Sequence, residues 1–376
     1  MHTSNSPLFE IFENECLQLQ GAKKSSISRN KPIYIFGAGK FGTSVANALI
    51  KNHYNLLGFV ETSPRKKMVG DLPVLSWSEL SEKDLSAQLL IGIYNRDMPF
   101  DQLRKVAQDV GYQDILMPWD IYDELSMDLG WKYWLSTRDF LIQHIQDIRK
   151  TYDLLCDEES KKTLLEICRF RLGINNKYSS FKHLDQQYFN SLTLAPFAAA
   201  NELSYVDCGA YNGDTFLEAD KLLPVSSAYL FEPDPVNFQQ LVESTKDLAL
   251  TPVCIPLAVS DRYQILSFSG SGEGGTISTD GDVHIAAAAL DEIFPLTNVD
   301  FIKYDVEGAE IPALIGSKNI IERSRPVLVL SLYHRPADLW EIPAILSSHC
   351  SGYQFYLRQH FYNSFDSVFY AIPEAQ

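Results

Sequence analysis

Tyr205–Phe216, reading YVDCGAYNGDTF, constrains this chain more than any other stretch. A short apolar run ending at Val206 delivers Asp207 at its tip, Gly209-Ala210-Tyr211-Asn212-Gly213 follows, and a segment with helical spacing begins at once. Strand, glycine loop and helix start together make a cradle for a polar ligand, because glycine lets the backbone come close and the first helical amides lack intrahelical partners. The loop is G-x-x-x-G with an acid before it, not the G-x-G-x-x-G of dinucleotide folds. A second acid, Glu232, closes the strand AYLFE 19 residues after Gly213, where such folds hold ribose hydroxyls. Loop, leading Asp and second-strand Glu together favour a nucleoside site over a plain tight turn.

The same order of elements occurs once before. Ile33–Phe36 reads as a strand that runs into Gly37-Ala38-Gly39-Lys40-Phe41-Gly42, the following TSVANALIKN has helical apolar spacing, and a second strand ends at Glu61, 19 residues after Gly42. That is a dinucleotide-type fingerprint in a strand–loop–helix context. A strand over 88–93, a helix over 99–110 and a strand near Ile115 complete a small doubly wound domain, 31–125. Two readings stand. In one, a nucleotide or nucleotide-sugar lies with phosphate over Gly37, Gly39 and Gly42 and ribose at Glu61. In the other, a Rossmann-like fold is kept for packing or dimerisation. Arg65-Lys66-Lys67 reaches a 2′-phosphate on the first reading and is a solvated loop on the second. The stretch LLGFVETSPRKKMVGDLPVLSWSEL resembles the small Rossmann-like domains of sugar-modifying enzymes in polysaccharide assembly, over residues 31–120.

Composition narrows the classes. A chain of 376 residues is too long for one typical core, and 45% apolar content excludes disorder. Lys and Arg number 32 against 48 acids, a net charge of −16, which argues against nucleic acid as the main partner. No apolar run approaches the ~20 residues of a membrane span, and the N-terminus lacks a signal-peptide pattern. Six cysteines show neither C-x-x-C nor zinc spacing, which reads as a reduced, cytoplasmic protein.

In chain order, residues 1–30 read as a short helix and a GAKKSSISRNKP linker. Residues 126–200 read as a helical connector. In it Thr137 caps a helix carrying Phe140, Leu141, Ile145, Ile148 and Tyr152 on one face, and a second helix runs from Asp157 to a stop at Gly173. His144 and His183 read as surface residues on helical polar faces. The last domain, 201–376, alternates strands and helices. VCIPLAV reads as one strand ending near Ser260, and FSGSGEGGTISTDGD as a hairpin or flap. FIKYDVEGAE reads as a buried strand presenting Lys303, Asp305 and Glu307 in alternation, and RPVLVLSLYH as an interior strand ending in polar groups. Strands near Tyr353–Leu357 and Ser367–Ile372 complete a largely parallel sheet.

VDCGAYNGDT, FEPDP, AVSD, FIKYDVEGAE and RPVLVLSLYH resemble, in order, the motifs of FkbM-type S-adenosylmethionine-dependent methyltransferases over residues 201–372, IKYDVEGAE being the most specific. The resemblance implies an α/β fold: a class I methyltransferase doubly wound, mostly parallel sheet, here preceded by the smaller Rossmann-like domain and the helical connector. It implies O-methylation of a sugar, glycan or natural-product hydroxyl, S-adenosylmethionine as cofactor, and a small-molecule or carbohydrate acceptor. Tyr211 stands where many relatives have Asn. Ser331 and Tyr333 stand where many have an acid, so no acidic role carries over there.

Methyl transfer from sulfonium to oxygen needs alignment, water exclusion and removal of one hydroxyl proton. Ligands of open parallel sheets sit outside the carboxyl ends of the strands, beside the switch point, and Asp207, Glu232, Ala258 and Asp305 are expected at such ends on four strands. The cofactor group is therefore Asp207, Gly209, Ala210, Tyr211, Gly213, Asp214, Glu232, Pro233, Ala258 and Ser260. Asp305, Glu307, His334, Lys303 and Glu310 are the catalytic candidates: Asp305 binds the amino group of the cofactor's methionine portion or steers the acceptor hydroxyl, and Glu307 or His334 takes the proton. Lys303 with Glu310 reads equally as an ion pair between strand and helix, and His334 as a structural turn. If strand geometry persists, Asp305 and Glu307 leave on one face. Two acids do not make a ligand set, so the reaction is expected to run without metal. An NAD(P)-dependent oxidoreductase built on the first domain, and a non-catalytic ligand-binding scaffold, are the rival readings. Neither the acceptor nor the oligomeric state is legible.

Overall fold

The computed structural model describes residues 6–21, 25–175, 177, 181–269, 276–277 and 283–374. The chain forms two compact units. One comprises Met1–Gln146, Lys162–Lys182 and Phe361–Phe365; the other comprises Asp147–Lys161, His183–His360 and Asp366–Gln376. Residues 126–200 are thus divided between the two.

The first unit runs α1 (Pro7–Gly21), β1 (Ile33–Phe36), α2 (Lys40–Lys51), β2 (Leu56–Glu61), β3 (Met68–Val69), β4 (Leu72–Ser76), β5 (Gln88–Ile91), α3 (Phe100–Val110), β6 (Ile115–Leu116), α4 (Pro118–Leu129) and α5 (Arg138–Gln143). Its sheet has the order β3-β4-β2-β1-β5-β6, parallel except where β3 meets β4. The wholly buried β1 and β5 are the short apolar runs a two-sided parallel sheet demands. The β3–β4 hairpin is an addition to the sequence reading. It turns at Gly70, whose φ of +58° suits a residue without Cβ. Thr137 does cap α5, accepting from the Phe140 amide at 3.3 Å. The helix expected to continue from it breaks at His144 and restarts as α6 (Ile145–Leu154). The segment then gives α7 (Glu158–Arg171) and α8 (Ser191–Leu194).

The second unit holds β7 (Leu203–Cys208), α9 (Asp214–Leu222), β8 (Val225–Phe231), α10 (Pro235–Thr245), β9 (Val253–Ile255), β10 (Ala258–Val259), β11 (Gln264–Ser269), β12 (Thr276–Ile277), β13 (Val283–Ala288), α11 (Leu290–Ile293), β14 (Phe301–Tyr304), α12 (Glu310–Ile315), α13 (Lys318–Ser324), β15 (Val327–Ser331), α14 (Asp338–His349), β16 (Tyr353–Gln359) and β17 (Ser367–Pro373). Seven strands form one sheet in the order β16-β17-β15-β14-β7-β8-β9. β17 runs antiparallel to both its neighbours, and the other pairs are parallel. The chain winds outward from β7 through β8 to β9, then returns to β14 on the other side. The switch point lies between β7 and β14, where a parallel sheet opens its crevice. β14 and β15 are buried at every residue, and Phe189, Tyr205 and Phe301 meet ring to ring beneath the switch.

One expectation is corrected here, and with it the place of Ala258. VCIPLAV is not one strand: Pro256 has no amide to give a ladder, the Leu257 amide turns back to the Ile255 carbonyl at 2.9 Å, and the chain leaves the main sheet. β10 instead pairs with β13 in a separate four-stranded sheet of order β10-β13-β11-β12, so Ala258 opens a strand of that sheet. The expected hairpin over 268–282 falls mostly outside the described residues; its flanks, β11 and β13, pair antiparallel.

Candidate functional site

At the end of β7 the chain must turn under the end of β14, and only glycine fits. A Cβ on Gly209 would lie 1.9 Å from the Asp305 carbonyl oxygen, and its φ is +87°. The Gly209 and Ala210 amides both donate to the Phe231 carbonyl, at 3.0 and 2.9 Å, tying the loop to the end of β8. Tyr211 adopts φ +49°, a left-handed conformation uncommon for an aromatic residue, and Gly213 follows at φ +88° as the residue before α9. Asp214 opens α9, where an acid suits the helix dipole.

Glu232 holds this loop in place. Its Oε2 accepts from the Tyr211 amide at 2.9 Å, and its Oε1 from the Asp234 amide at 2.8 Å. Beyond Pro233, Asp234 caps α10 by accepting from Val236 and Asn237. Glu232 is buried, and burial pushes its carboxyl up to about 7 against the pull of those two amides. The Asn237 side chain is a third donor to it, and a carboxylate with about four lone-pair sites keeps capacity for a ribose hydroxyl.

Beneath the loop, Lys303 and Asp207 face each other across adjacent strands. The Lys303 ammonium donates to Asp207 Oδ1 at 2.8 Å and to the Gly209 carbonyl at 2.9 Å, and the Tyr205 hydroxyl donates to Asp207 Oδ2 at 3.0 Å. Both charged groups are buried. Burial works against the Lys303 charge, but Asp207 and Asp305 outweigh it and raise its pKa. Of the two readings of Lys303, the ion pair with Glu310 is not formed: the strand register gives Lys303 to Asp207, and Glu310 has another partner.

That partner is His334. Its Nδ1 lies 2.7 Å from Glu310 Oε1, which also accepts the Val306 amide at 3.0 Å. Its Nε2 lies 3.5 Å from Asp305 Oδ1 and 3.8 Å from Glu307 Oε2. Burial opposes a charge on His334, yet Glu310, Glu307 and Asp305 raise its pKa well above the ordinary histidine value. Strand geometry does not persist to Glu307: β14 ends at Tyr304, and Glu307 (φ +53°) and Gly308 (φ +93°) form a left-handed turn. The turn, not the strand pleat, brings Asp305 and Glu307 to the same imidazole. Glu307 is pushed up to about 7 by burial, with the Asp305 and Glu310 charges adding and the His334 charge opposing. Its side chain is 32% exposed where His334 is fully enclosed, so of the two expected proton acceptors Glu307 is the accessible one.

Two residues here escaped the sequence reading. The Tyr188 hydroxyl donates to Asp305 Oδ2 at 2.9 Å, and its ring centroid lies 5.3 Å from the Lys303 ammonium. Asp305 is lowered below the ordinary carboxylate range although burial raises it, because Lys303, His334 and the Tyr188 hydroxyl favour its charge. Asp338, buried in the first turn of α14, accepts the Arg335 amide at 2.7 Å and is pushed up to about 7 by burial and by Glu310. Tyr188 offered no spacing that could have found it. Asp338 stands three residues after Arg335, the spacing at which an acid at a helix start reaches back to a preceding amide, a signal that was available. Ser260, beside Ala258, is buried, and its hydroxyl bonds to Asp261 and Gln264.

In the first unit the three glycines separate physically. Gly37 has φ +102°, and a Cβ on Gly42 would lie 2.0 Å from the Gly37 carbonyl, so the fold itself requires both. Gly39 has φ −78°, and an added Cβ meets nothing within 4 Å. Glu61 Oε1 accepts the Ala38 amide at 3.0 Å, the same second-strand-acid-to-loop bond that Glu232 makes. His183 is half-buried in a loop, 2.9 Å from Glu159, which corrects its reading as a surface residue on a helical polar face. Among the described residues no helix is long and apolar enough to cross a membrane.

Residues 207–358 match the family model described as Methyltransferase FkbM domain. A crystal structure of Methyltransferase FkbM from Methylobacillus flagellatus KT shares the fold with a TM-score of 0.76 at 19% identity, over 97% of this chain and 100% of that one. Precorrin-6y C5,15-methyltransferase from Geobacter metallireducens GS-15 aligns at TM-score 0.31 and 15% identity, over 52% of this chain and 96% of that one. A SAM dependent methyltransferase from Aquifex aeolicus aligns at 0.29 and 14%, over 49% and 90%. No curated protein matches the chain.

Proposed function

Given a Methyltransferase FkbM domain at residues 207–358, we propose that the chain moves a methyl group from S-adenosylmethionine to a hydroxyl of a sugar, glycan or natural product, in the cytoplasm and in the course of polysaccharide or natural-product assembly. The observation that carries this reading is Glu232. It is a buried carboxylate at the end of the second strand, tied by one oxygen to the glycine loop and by the other to the Asp234 amide. The cofactor supplies an electrophilic methyl on sulfonium; the remainder is done by the chain. Glu232 accepts the ribose hydroxyls, while Asp207, Gly209, Ala210, Tyr211, Gly213 and Asp214 shape the cradle from the β7 side. Pro233, Ala258 and Ser260 are proposed to border the base.

The proton leaves through Glu307. A carboxyl near pKa 7 is matched to taking a proton from a hydroxyl at neutral pH, and it is the reachable base of the cluster. Lys303 and Asp207 set the loop, His334 and Glu310 orient the Asp305–Glu307 turn, and Tyr188 fixes the Asp305 carboxylate. Loss of a general base costs about 10²–10⁴ in rate. Single-turnover measurements with cofactor saturating and a panel of hydroxylated acceptors should show that loss in Glu307→Gln, with cofactor affinity kept. A near wild-type rate in that variant takes the base role away from Glu307.

A second reading concerns the first unit. Gly39 is a glycine its own fold does not ask for, and a backbone kept bare over a helix N-terminus is what close approach of a phosphate requires. We read the loop Gly37, Gly39 and Gly42, with Glu61, as a seat for a nucleotide or nucleotide-sugar.

A further inference from the structure

The cluster around His334 holds more negative charge than its own cations balance. Asp305, Glu310 and Asp366 act on Glu307 there, and Glu310 acts on Asp338. Against them stand His334, Arg335 beside Asp338, and Lys303, which is bound to Asp207 and also acts on Asp305. Buried carboxylates in such excess ask for a bound cation. Asp305, Glu310 and His334 each offer a ligand atom within 4.8 Å of the other two. Asp305 Oδ1 and Glu310 Oε2 are buried without a hydrogen-bond partner among the described residues, the latter on a side chain 1% exposed.

We propose that this cluster binds a divalent cation, with Asp305 Oδ1 and His334 Nε2 as protein ligands and Glu310 as the carboxylate that orients the imidazole through Nδ1; the ion takes the place of the Nε2 proton, which leaves to solvent as it binds. Asp305 Oδ1 and His334 Nε2 are 3.5 Å apart. An ion about 2.1 Å from each spans that gap without rearrangement of the backbone. A carboxylate on the far nitrogen of a ligating histidine is the usual second-sphere arrangement, and Glu310 is placed for it at 2.7 Å. Carboxylate with imidazole suits Mn²⁺ or Zn²⁺ as well as Mg²⁺, with further positions left for water and an acceptor hydroxyl. Resting on the methyl-transfer reading, the ion has a defined part: it lowers the pKa of a hydroxyl that binds it, and Glu307, 3.8 Å from His334 Nε2, receives the proton. This runs against the metal-free reaction expected from the sequence, where Glu310 and His334 had not been brought to Asp305.

The test is Mn²⁺ binding to the full chain, freed of metal with EDTA and followed by electron paramagnetic resonance, with S-adenosylmethionine binding measured separately by calorimetry. One Mn²⁺ site is expected, weakened about tenfold or more in Asp305→Asn and in Glu310→Gln. Circular dichroism and thermal melting confirm that both variants fold. No binding of Mn²⁺, Zn²⁺ or Mg²⁺ up to about 1 mM overturns the proposal, as does Mn²⁺ binding indifferent to both variants. Stabilisation by a primary amine but not by any of the metals overturns it too, and marks the cluster as an ammonium site. S-adenosylmethionine binding without metal binding leaves the methyltransferase reading standing, and metal binding without S-adenosylmethionine binding removes that reading alone.

Discussion

Glu232 combines two properties that pull against each other. Its oxygens accept two backbone amides, which favour the carboxylate, yet burial pushes it up to about 7. A ribose diol donates hydrogen bonds, so the ionised form is the binding form. The sign follows: protonation below the folded value weakens cofactor binding, and ionisation above it restores binding. Between pH 6 and 8 the ionised fraction rises about tenfold for a group titrating near 7, so the dissociation constant for S-adenosylmethionine is expected to fall about tenfold over that range. Calorimetry at the two pH values checks this, and Glu232→Gln should bind weakly and flatly across both. The place of Glu232 was legible from its distance to Gly213. Its raised pKa was not, because burial is a property of the folded sheet and not of spacing. The same holds for His334, whose enclosure by three carboxylates from one turn and one helix leaves no trace in RPVLVLSLYH.

At the scale of elements, the two central strands are joined by their charges as well as their ladder. Lys303 on β14 and Asp207 on β7 are register partners, both enclosed. Removing one leaves the other as a buried unpaired charge, so Lys303→Met is expected to lose about 3–5 kcal/mol, read from urea unfolding. A double variant with Asp207→Leu as well should recover part of that loss, because no orphan charge remains. If the double loses as much as the sum of the two singles, Lys303 and Asp207 are not coupled. The strands themselves could be read from apolar runs, and β7, β8, β14 and β15 lie where those runs are. What failed was continuity. Pro256 broke VCIPLAV into two sheets, and Gly308 marks a turn that carried Glu307 out of the strand alternation. A pair of Lys303 with Glu310 is one of two readings open from the sequence, whereas its partner comes from a strand 96 residues away.

At the scale of the whole molecule, the chain carries the strand–glycine loop–helix device twice, once in each compact unit. Both copies tie a second-strand acid to a loop amide, Glu61 to Ala38 and Glu232 to Tyr211. For the first copy, Gly39→Leu is the discriminating variant, since its Cβ enters open space at an ordinary φ and the fold should be untouched. Nucleotide or nucleotide-sugar binding to the full chain, seen as a thermal shift, is expected to vanish in it while S-adenosylmethionine binding persists; no shift in the parent chain makes the first loop structural. The central claim rests on the second copy, and titration calorimetry of the full chain with S-adenosylmethionine, beside a parallel titration with a nicotinamide dinucleotide, tests it most directly. Micromolar or tighter binding of S-adenosylmethionine, on the order of −8 kcal/mol, weakened by about 1.5–3 kcal/mol in Glu232→Ala, is the result expected; binding of the nicotinamide dinucleotide with none of S-adenosylmethionine, or S-adenosylmethionine binding unchanged by Glu232→Ala, would contradict it.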